Sequence, residues 1–354
     1  MKRYTLVASA VLSVTALTIA GCGSGVADAR PKTDFQGEHS EYLSSLYQDA
    51  LDKGQTDILG YVPNPAAFEP WVEAFNEYFP EIEVELVPLF GPELDTRLNS
   101  EIATGGISAD FTNLGEGELL KFRDNGWLEQ YVPETMSGID PIYIGLDDMW
   151  ITPALNIQGP IYNTDRVSAE EAPSSWKDLT DPSFKGRVGN TPPTTSGGFP
   201  MATTEANNLG IIDETWLEGL AAQEPSYFPS SANTVQALIS GEIDLYTTGP
   251  YVVYNGAKKK GAPLAFAFLE EGNMAIRDAV ALFKESPNQA GAKLFLAWLF
   301  TPEAQTISLK ETGRPGTMPN APKMDGLKEA HVVTIEALQN DYPAWRETLK
   351  RILE

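Results

Sequence analysis

Residues 57–87 read DILGYVPNPAAFEPWVEAFNEYFPEIEVELV, and they decide the class of fold. Asp57-Ile58-Leu59-Gly60-Tyr61-Val62 is a short apolar run closed by Pro63-Asn64-Pro65, which reads as a strand ending in a turn. Over 66–78, Phe68, Trp71, Val72 and Phe75 fall on one face at helical spacing. Residues 82–87 alternate apolar and acidic, as a strand does. Strand, helix and strand in so short a stretch make a unit of an α/β fold.

The same order continues outward. Residues 38–53 have helical spacing and stop at Gly54. A helix is expected near 92–104, a strand from 108 and a helix over 116–125. In the middle of the chain the strand candidates are 157–162, 186–190 and 243–248. The helix candidates there are 196–208, 213–222, 232–240 and 250–260. Ser286-Pro287 and Thr301-Pro302 pair an N-cap with proline at the first helical position, and they open helices 287–299 and 302–311. An amphipathic helix over 342–353 comes last. This predicts an α/β fold with a mainly parallel sheet and no repeat of fixed period.

Composition sets further limits. The chain has 354 residues, which suggests two domains, and 42% are hydrophobic, enough for a sizeable core. Lys and Arg total 25 against 49 Asp and Glu, a net charge of −24. That excess repels phosphate backbones and argues against nucleic acid as a partner. One Cys and two His exclude an internal disulfide and a structural zinc site of the usual type.

The N-terminus predicts the compartment. Lys2 and Arg3 precede an uncharged apolar stretch over 4–20, the pattern of a secretory signal. It ends in Leu17-Thr18-Ile19-Ala20-Gly21-Cys22, which resembles the bacterial lipobox. The resemblance implies a signal peptide over 1–21, lipidation at Cys22 and a lipid-anchored, extracytoplasmic protein. Cleavage there removes two bases and no acid, so the net charge falls from −24 to −26. Residues 22–37 are rich in Gly, Ser, Pro and charge and read as a flexible tether. No later stretch is apolar enough to span a membrane.

Catalytic patterns are missing. There is no P-loop, no H-E-x-x-H and no G-x-S-x-G outside the signal region. His39 and His331 have no nucleophile nearby in the sequence. No catalytic residue, metal ligand or cofactor is assigned, and the chain does not read as an enzyme.

The loops after strands look like a binding site, because open α/β sheets hold ligands outside the carboxyl ends of their strands. The first is Tyr61 to Pro65, with Asn64. The second is Thr112 to Glu116, with Asn113 and Glu116. The third is Thr191 to Gly198, whose Thr194, Thr195, Ser196, Gly197 and Gly198 suit an anion at a helix N-terminus. Thr194 or Ser196 could equally be a plain N-cap. The fourth is Tyr246 to Tyr251, where Tyr246, Thr248 and Tyr251 are candidates. Its tyrosines either stack on a ligand or belong to the core.

Several phrases together resemble bacterial ABC-importer solute-binding proteins of the type II periplasmic-binding fold, in the branch of ferric-iron, thiamine and phosphonate binders. They are Ala109-Asp110-Phe111, Asn125-Gly126-Trp127-Leu128-Glu129, Tyr162-Asn163-Thr164-Asp165-Arg166-Val167, Asp181-Pro182-Ser183-Phe184-Lys185-Gly186-Arg187-Val188, Gly241-Glu242-Ile243-Asp244 and Thr301-Pro302-Glu303-Ala304-Gln305. The resemblance runs from about 38 to 320 and implies a Venus-flytrap of two lobes on a hinge. Residues 38–157 would begin the first lobe, 158–264 would form the second, and 265–354 would return to the first. It also implies a monomer that takes a small molecule or ion between its lobes and delivers it to an ABC permease.

On ligand, the resemblance is mixed. Ferric binders of this branch carry adjacent tyrosines where this chain reads Tyr251-Val252-Val253-Tyr254, and often a His where it has Pro65. Thiamine binders are similar at Tyr246-Thr247-Thr248 with Pro250, and phosphonate binders at Thr194-Thr195-Ser196-Gly197. A phosphonate- or phosphate-bearing or thiamine-like solute is the first expectation and ferric iron or a ferric chelate the alternative. A receptor lipoprotein with no transport role is the reading from another class. The lipobox reading makes a direct prediction: Cys22→Ser abolishes incorporation of labelled palmitate and moves the protein from the membrane fraction to the medium or periplasm.

Overall fold

The computed structural model describes residues 37, 39–194 and 197–354. The signal peptide, Cys22, the tether up to residue 36, and Thr195 and Ser196 lie outside the described residues. The first lobe opens with α1 (Ser40–Lys53), β1 (Asp57–Val62), α2 (Glu69–Tyr78), β2 (Glu83–Pro88), α3 (Gly91–Thr104), β3 (Phe111–Leu114), α4 (Glu116–Asp124) and β4 (Leu128–Glu129). Helix α1 stops where the sequence predicts, because Gly54 adopts φ 62° and its N–H closes on the carbonyls of Ala50 and Leu51. The apolar stripe before and within α2 buries Phe68, Trp71 and Phe75 to 1% exposure or less.

Strand β5 (Ile151–Asn163) leads into the second lobe. There follow β6 (Val188–Asn190), α5 (Gly198–Asn208), α6 (Glu214–Ala222), β7 (Ser226–Tyr227), α7 (Ser231–Ser240), β8 (Leu245–Pro250), α8 (Tyr251–Lys259) and β9 (Leu264–Phe266). Strand β10 (Asn273–Phe283) leads back to α9 (Gln289–Trp298) and α10 (Pro302–Ile307), which runs into a π-turn over Ser308–Thr312. β11 (Ala330–Val332) and α11 (Tyr342–Leu353) complete the described chain.

One sheet joins both lobes, in the order β2-β1-β3-β10-β5-β8-β6-β7. Pairing is parallel in β2-β1-β3 on one side and β8-β6-β7 on the other, while β4 and β9 add antiparallel pairs to β10 and β5. Where the chain passes between lobes it is antiparallel, at β3-β10, β10-β5 and β5-β8. The sheet is therefore mixed rather than mainly parallel. Helices cover both of its faces. In the first lobe Trp71, Phe75 and Trp298 fill one core and Leu98, Phe122 and Phe283 the other. In the second, Phe199, Trp216 and Leu220 fill one and Ile161, Leu238 and Ile243 the other.

The structure departs from the sequence expectation in three places. β5 begins at Ile151, six residues before the strand expected over 157–162, so the lobe boundary expected at 157–158 falls inside a strand. β10 was not anticipated at all. The third concerns 265–354, expected to rejoin the first lobe. Helices α9 and α10 do pack there, with Trp298 and Ala304 in its core. Helix α11 instead docks on the second lobe, where Trp345 and Leu349 join Phe199 and Leu217. The reason is its apolar stripe, at i and i+4, which meets α5 and α6. The Trp345 indole donates to Thr203 Oγ1 at 3.1 Å, and Arg351 pairs with Glu214 at 2.7 Å. Trp345→Ala should thus lower stability by about 3–5 kcal/mol in urea unfolding followed by circular dichroism. A loss under about 1 kcal/mol would mean that α11 is not part of the second core.

Candidate ligand cleft

The pairing of β5 with β10 builds a floor between the lobes. Ala154 lies opposite Asp278, Asn156 opposite Ile276, and Gln158 opposite Met274. Residues directly opposite in an antiparallel pair share a face, so Ala154, Asn156 and Gln158 form one row beside Asp278, Ile276 and Met274.

At the first-lobe end of the row, Asn113 at the end of β3 donates its amide to Asp278 Oδ1 at 2.8 Å and to the Ala279 carbonyl at 2.7 Å. Arg314 binds the other oxygen of Asp278 and the carbonyl of Ala67, and its guanidinium lies 4.5 Å over the Trp71 ring. These contacts tie the loop after β1, the end of β3 and the floor into one rigid wall.

At the second-lobe end, Gln158 pairs with Pro250, the residue before α8. Its Oε1 stands 2.5 Å from where a Cβ on Gly198 would lie, so any larger residue at the start of α5 would have to push the Gln158 amide aside. The N-cap of α5 is Gly197, which has no side chain to cap the first-turn N–H groups. They present a partial positive charge next to the floor.

The sequence-predicted residues divide. Asn64 is exposed at the lip of a groove of about 600 Å³, which Gln236 of α7, Val252 and Gly256 of α8, and Lys260 just after α8 also line. Asn113 and Thr248 are buried in the second halves of β3 and β8, and Thr248 Oγ1 has no partner among the described residues. Gly197 and Gly198 open α5 as expected. Thr194 is drawn toward α11: its hydroxyl donates to Glu354 Oε1 at 2.8 Å and its carbonyl accepts from Arg346.

Glu116 is engaged elsewhere. It is buried, ion-paired to Arg277 and accepts from the Trp150 indole at 2.8 Å. Burial pushes its carboxyl up from the ordinary value while Arg277 opposes the shift. Arg277 also donates to the Ile142 carbonyl.

The tyrosines pack rather than point at open space. Tyr246 is 1% exposed within the second-lobe core, and only its hydroxyl reaches a polar partner, Ser231 Oγ at 3.1 Å. Tyr251 is half-buried against Phe266, with centroids 4.9 Å apart, and stacks on Phe268 at 6.2 Å. Tyr254 joins the same aromatic group. Burial pushes all three phenols up from their ordinary value.

Sequence reasoning missed the floor itself. Asn156 Oδ1, Gln158 Oε1, Asn190 Nδ2 and Thr248 Oγ1 are buried polar atoms without a partner among the described residues. The available signal was two polar side chains at period two inside an apolar run, Leu155-Asn156-Ile157-Gln158. No group of three or more His, Cys, Asp or Glu among the described residues could hold a metal ion.

Residues 70–334 match the family described as bacterial extracellular solute-binding proteins. The chain belongs to that family. It is 27% identical over 164 residues to the major ferric iron-binding protein of Neisseria meningitidis serogroup B, covering 44% of this chain and 49% of that one. It is 24% identical over 193 residues to a periplasmic protein of Salmonella typhi named for 2-aminoethylphosphonate binding, covering 52% and 56%. The chain spans about half the length of the curated relatives it matches. Among solved structures it superposes on iron-bound HitA from Pseudomonas aeruginosa with a TM-score of 0.68 at 22% identity, covering 84% of this chain and 99% of that one. This is the two-lobe type II periplasmic-binding fold.

The Glu116–Arg277 pair supports a prediction. Arg277→Met leaves a buried carboxylate uncompensated and should cost about 3–5 kcal/mol. Adding Glu116→Gln, which keeps an acceptor for Trp150, should restore at least half of that loss in urea unfolding.

Proposed function

We propose that this solute-binding protein is the capture subunit of an ABC importer, held at the membrane through a lipidated Cys22. Its two lobes close on a small organic solute bearing a phosphonate or phosphate group, and the closed form docks on a permease. A ligand that contacts both lobes shifts the hinge equilibrium by its differential affinity for the closed state. The observation that carries the reading is the N-terminus of α5, uncapped by any side chain among the described residues, beside buried polar atoms that have no partner among them. Such atoms are costly to leave unmade and favour a polar solute. A thiamine-like solute is less well supported, because its stacking partners, Tyr246 and Tyr251, already pack on protein rings.

A second reading is ferric iron, favoured by the relatives named for ferric iron binding. Bare ferric ion sits poorly with Tyr251 and Tyr254, whose phenols are raised by burial, and with Glu116 already held by Arg277. A ferric chelate fits better, since the organic acid would present its own carboxylates to α5. The absence of catalytic patterns in the sequence supports a binding role, and a receptor that does not transport is the remaining class.

Thermal unfolding against a panel separates these readings. The panel holds 2-aminoethylphosphonate, inorganic phosphate, thiamine phosphate, and ferric iron with and without citrate. Ligand at about 100 times its Kd adds about 2.7 kcal/mol and raises Tm by several degrees. We expect the shift with a phosphonate or phosphate. A shift with ferric citrate alone would transfer the protein to the second reading, and none with any member would leave the receptor reading.

A further inference from the structure

We infer that the solute carries a hydrogen-bond donor, an ammonium or hydroxyl group, on a short linker from its anionic group, and that Gln158 and Asn156 on β5 are the residues that read it. This rests on the phosphonate or phosphate reading and narrows it.

The orientation of Gln158 is set by its own strand. Its Nε2 donates to the Asn156 carbonyl at 3.2 Å, so turning the amide over would press Oε1 against that oxygen. Oε1 therefore faces the start of α5, beside Gly198, in a side chain only 1% exposed. It accepts from nothing among the described residues. Asn156 Oδ1, one step along the same face, is also buried and unpartnered. Same-face neighbours on a strand stand about 6.6 Å apart.

An acceptor oxygen beside a helix N-terminus, with a second one step along the strand, is mismatched to a bare anion. The helix end attracts negative charge, whereas carbonyl oxygens repel it and need donors. Both demands are met by one molecule whose anion sits on α5 and whose donor lies over the row. A site built around such a donor discriminates strongly against an analogue that lacks it, because the acceptors are then left unmade.

The experiment is calorimetric titration of the full-length protein with 2-aminoethylphosphonate and with ethylphosphonate, which lacks the amine. Wild type should bind the amine-bearing probe at least about 10-fold more tightly. Gln158→Met, close in shape, should bring the two affinities within about 3-fold of each other. Asn156→Ala, at a less buried position, should narrow the gap in the same direction. Equal binding of both probes by wild type, or an unchanged preference in both variants, would overturn the inference and leave the anion reading standing. Failure of either phosphonate to bind wild type would overturn the anion reading, and this inference with it.

Discussion

Two strands hold the lobes together, and everything else hangs from their register. β5 has 13 residues and β10 has 11, and each carries residues of both lobes. Their pairing decides which side chains line the floor, since a one-residue slip would turn Asn156 and Gln158 to the opposite face. The β5–β10 ladder is interrupted between Asp278 and Val280, and the β5–β8 ladder between Gly159 and Ile161. Bulges bend and twist a strand locally. These two lie toward opposite ends of the row, where a rotation of one lobe against the other is most easily absorbed.

The crossing strands also carry buried ions, which is unusual for central strands. Arg277 and Asp278 are adjacent in β10 and take partners far away in sequence, Glu116 for one and Arg314 for the other. Isolated buried charges would be prohibitive, but each here has a counter-charge and further hydrogen bonds. Such pairs contribute more to uniqueness than to stability: only the observed register lets each charge meet its partner.

This explains what could be read from the sequence and what could not. Helix α2 and strand β1 were legible because Phe68, Trp71 and Phe75 repeat at helical spacing and because Pro63 closes the strand. α11 was legible as a helix, but nothing in its stripe says which lobe it meets. β10 escaped because a strand covered on both faces does not alternate, and Arg277-Asp278 looks like a surface turn until its partners are known. The rule of loops after strands led to Asn113, Thr248 and Gly198, which the structure places late in β3, late in β8 and at the start of α5. Tyr246 and Tyr251 were harder, since a tyrosine near a strand end reads the same whether its ring enters a cleft or a core. Gln158 passed unnoticed for the converse reason, being one polar residue in a strand whose other face was not yet known.

The docking of α11 bears on how the chain acquires its structure. The second-lobe core draws on Val167 to Leu220, then Leu245 and Met274, and finally Trp345 and Leu349. Contacts separated so widely in sequence are slow to form. A chain emerging in order from its N-terminus therefore has no complete second core until residue 349 has joined. Until then the Phe199 and Leu217 side of that core stays uncovered, while the first-lobe core can already close around Trp298 and Ala304.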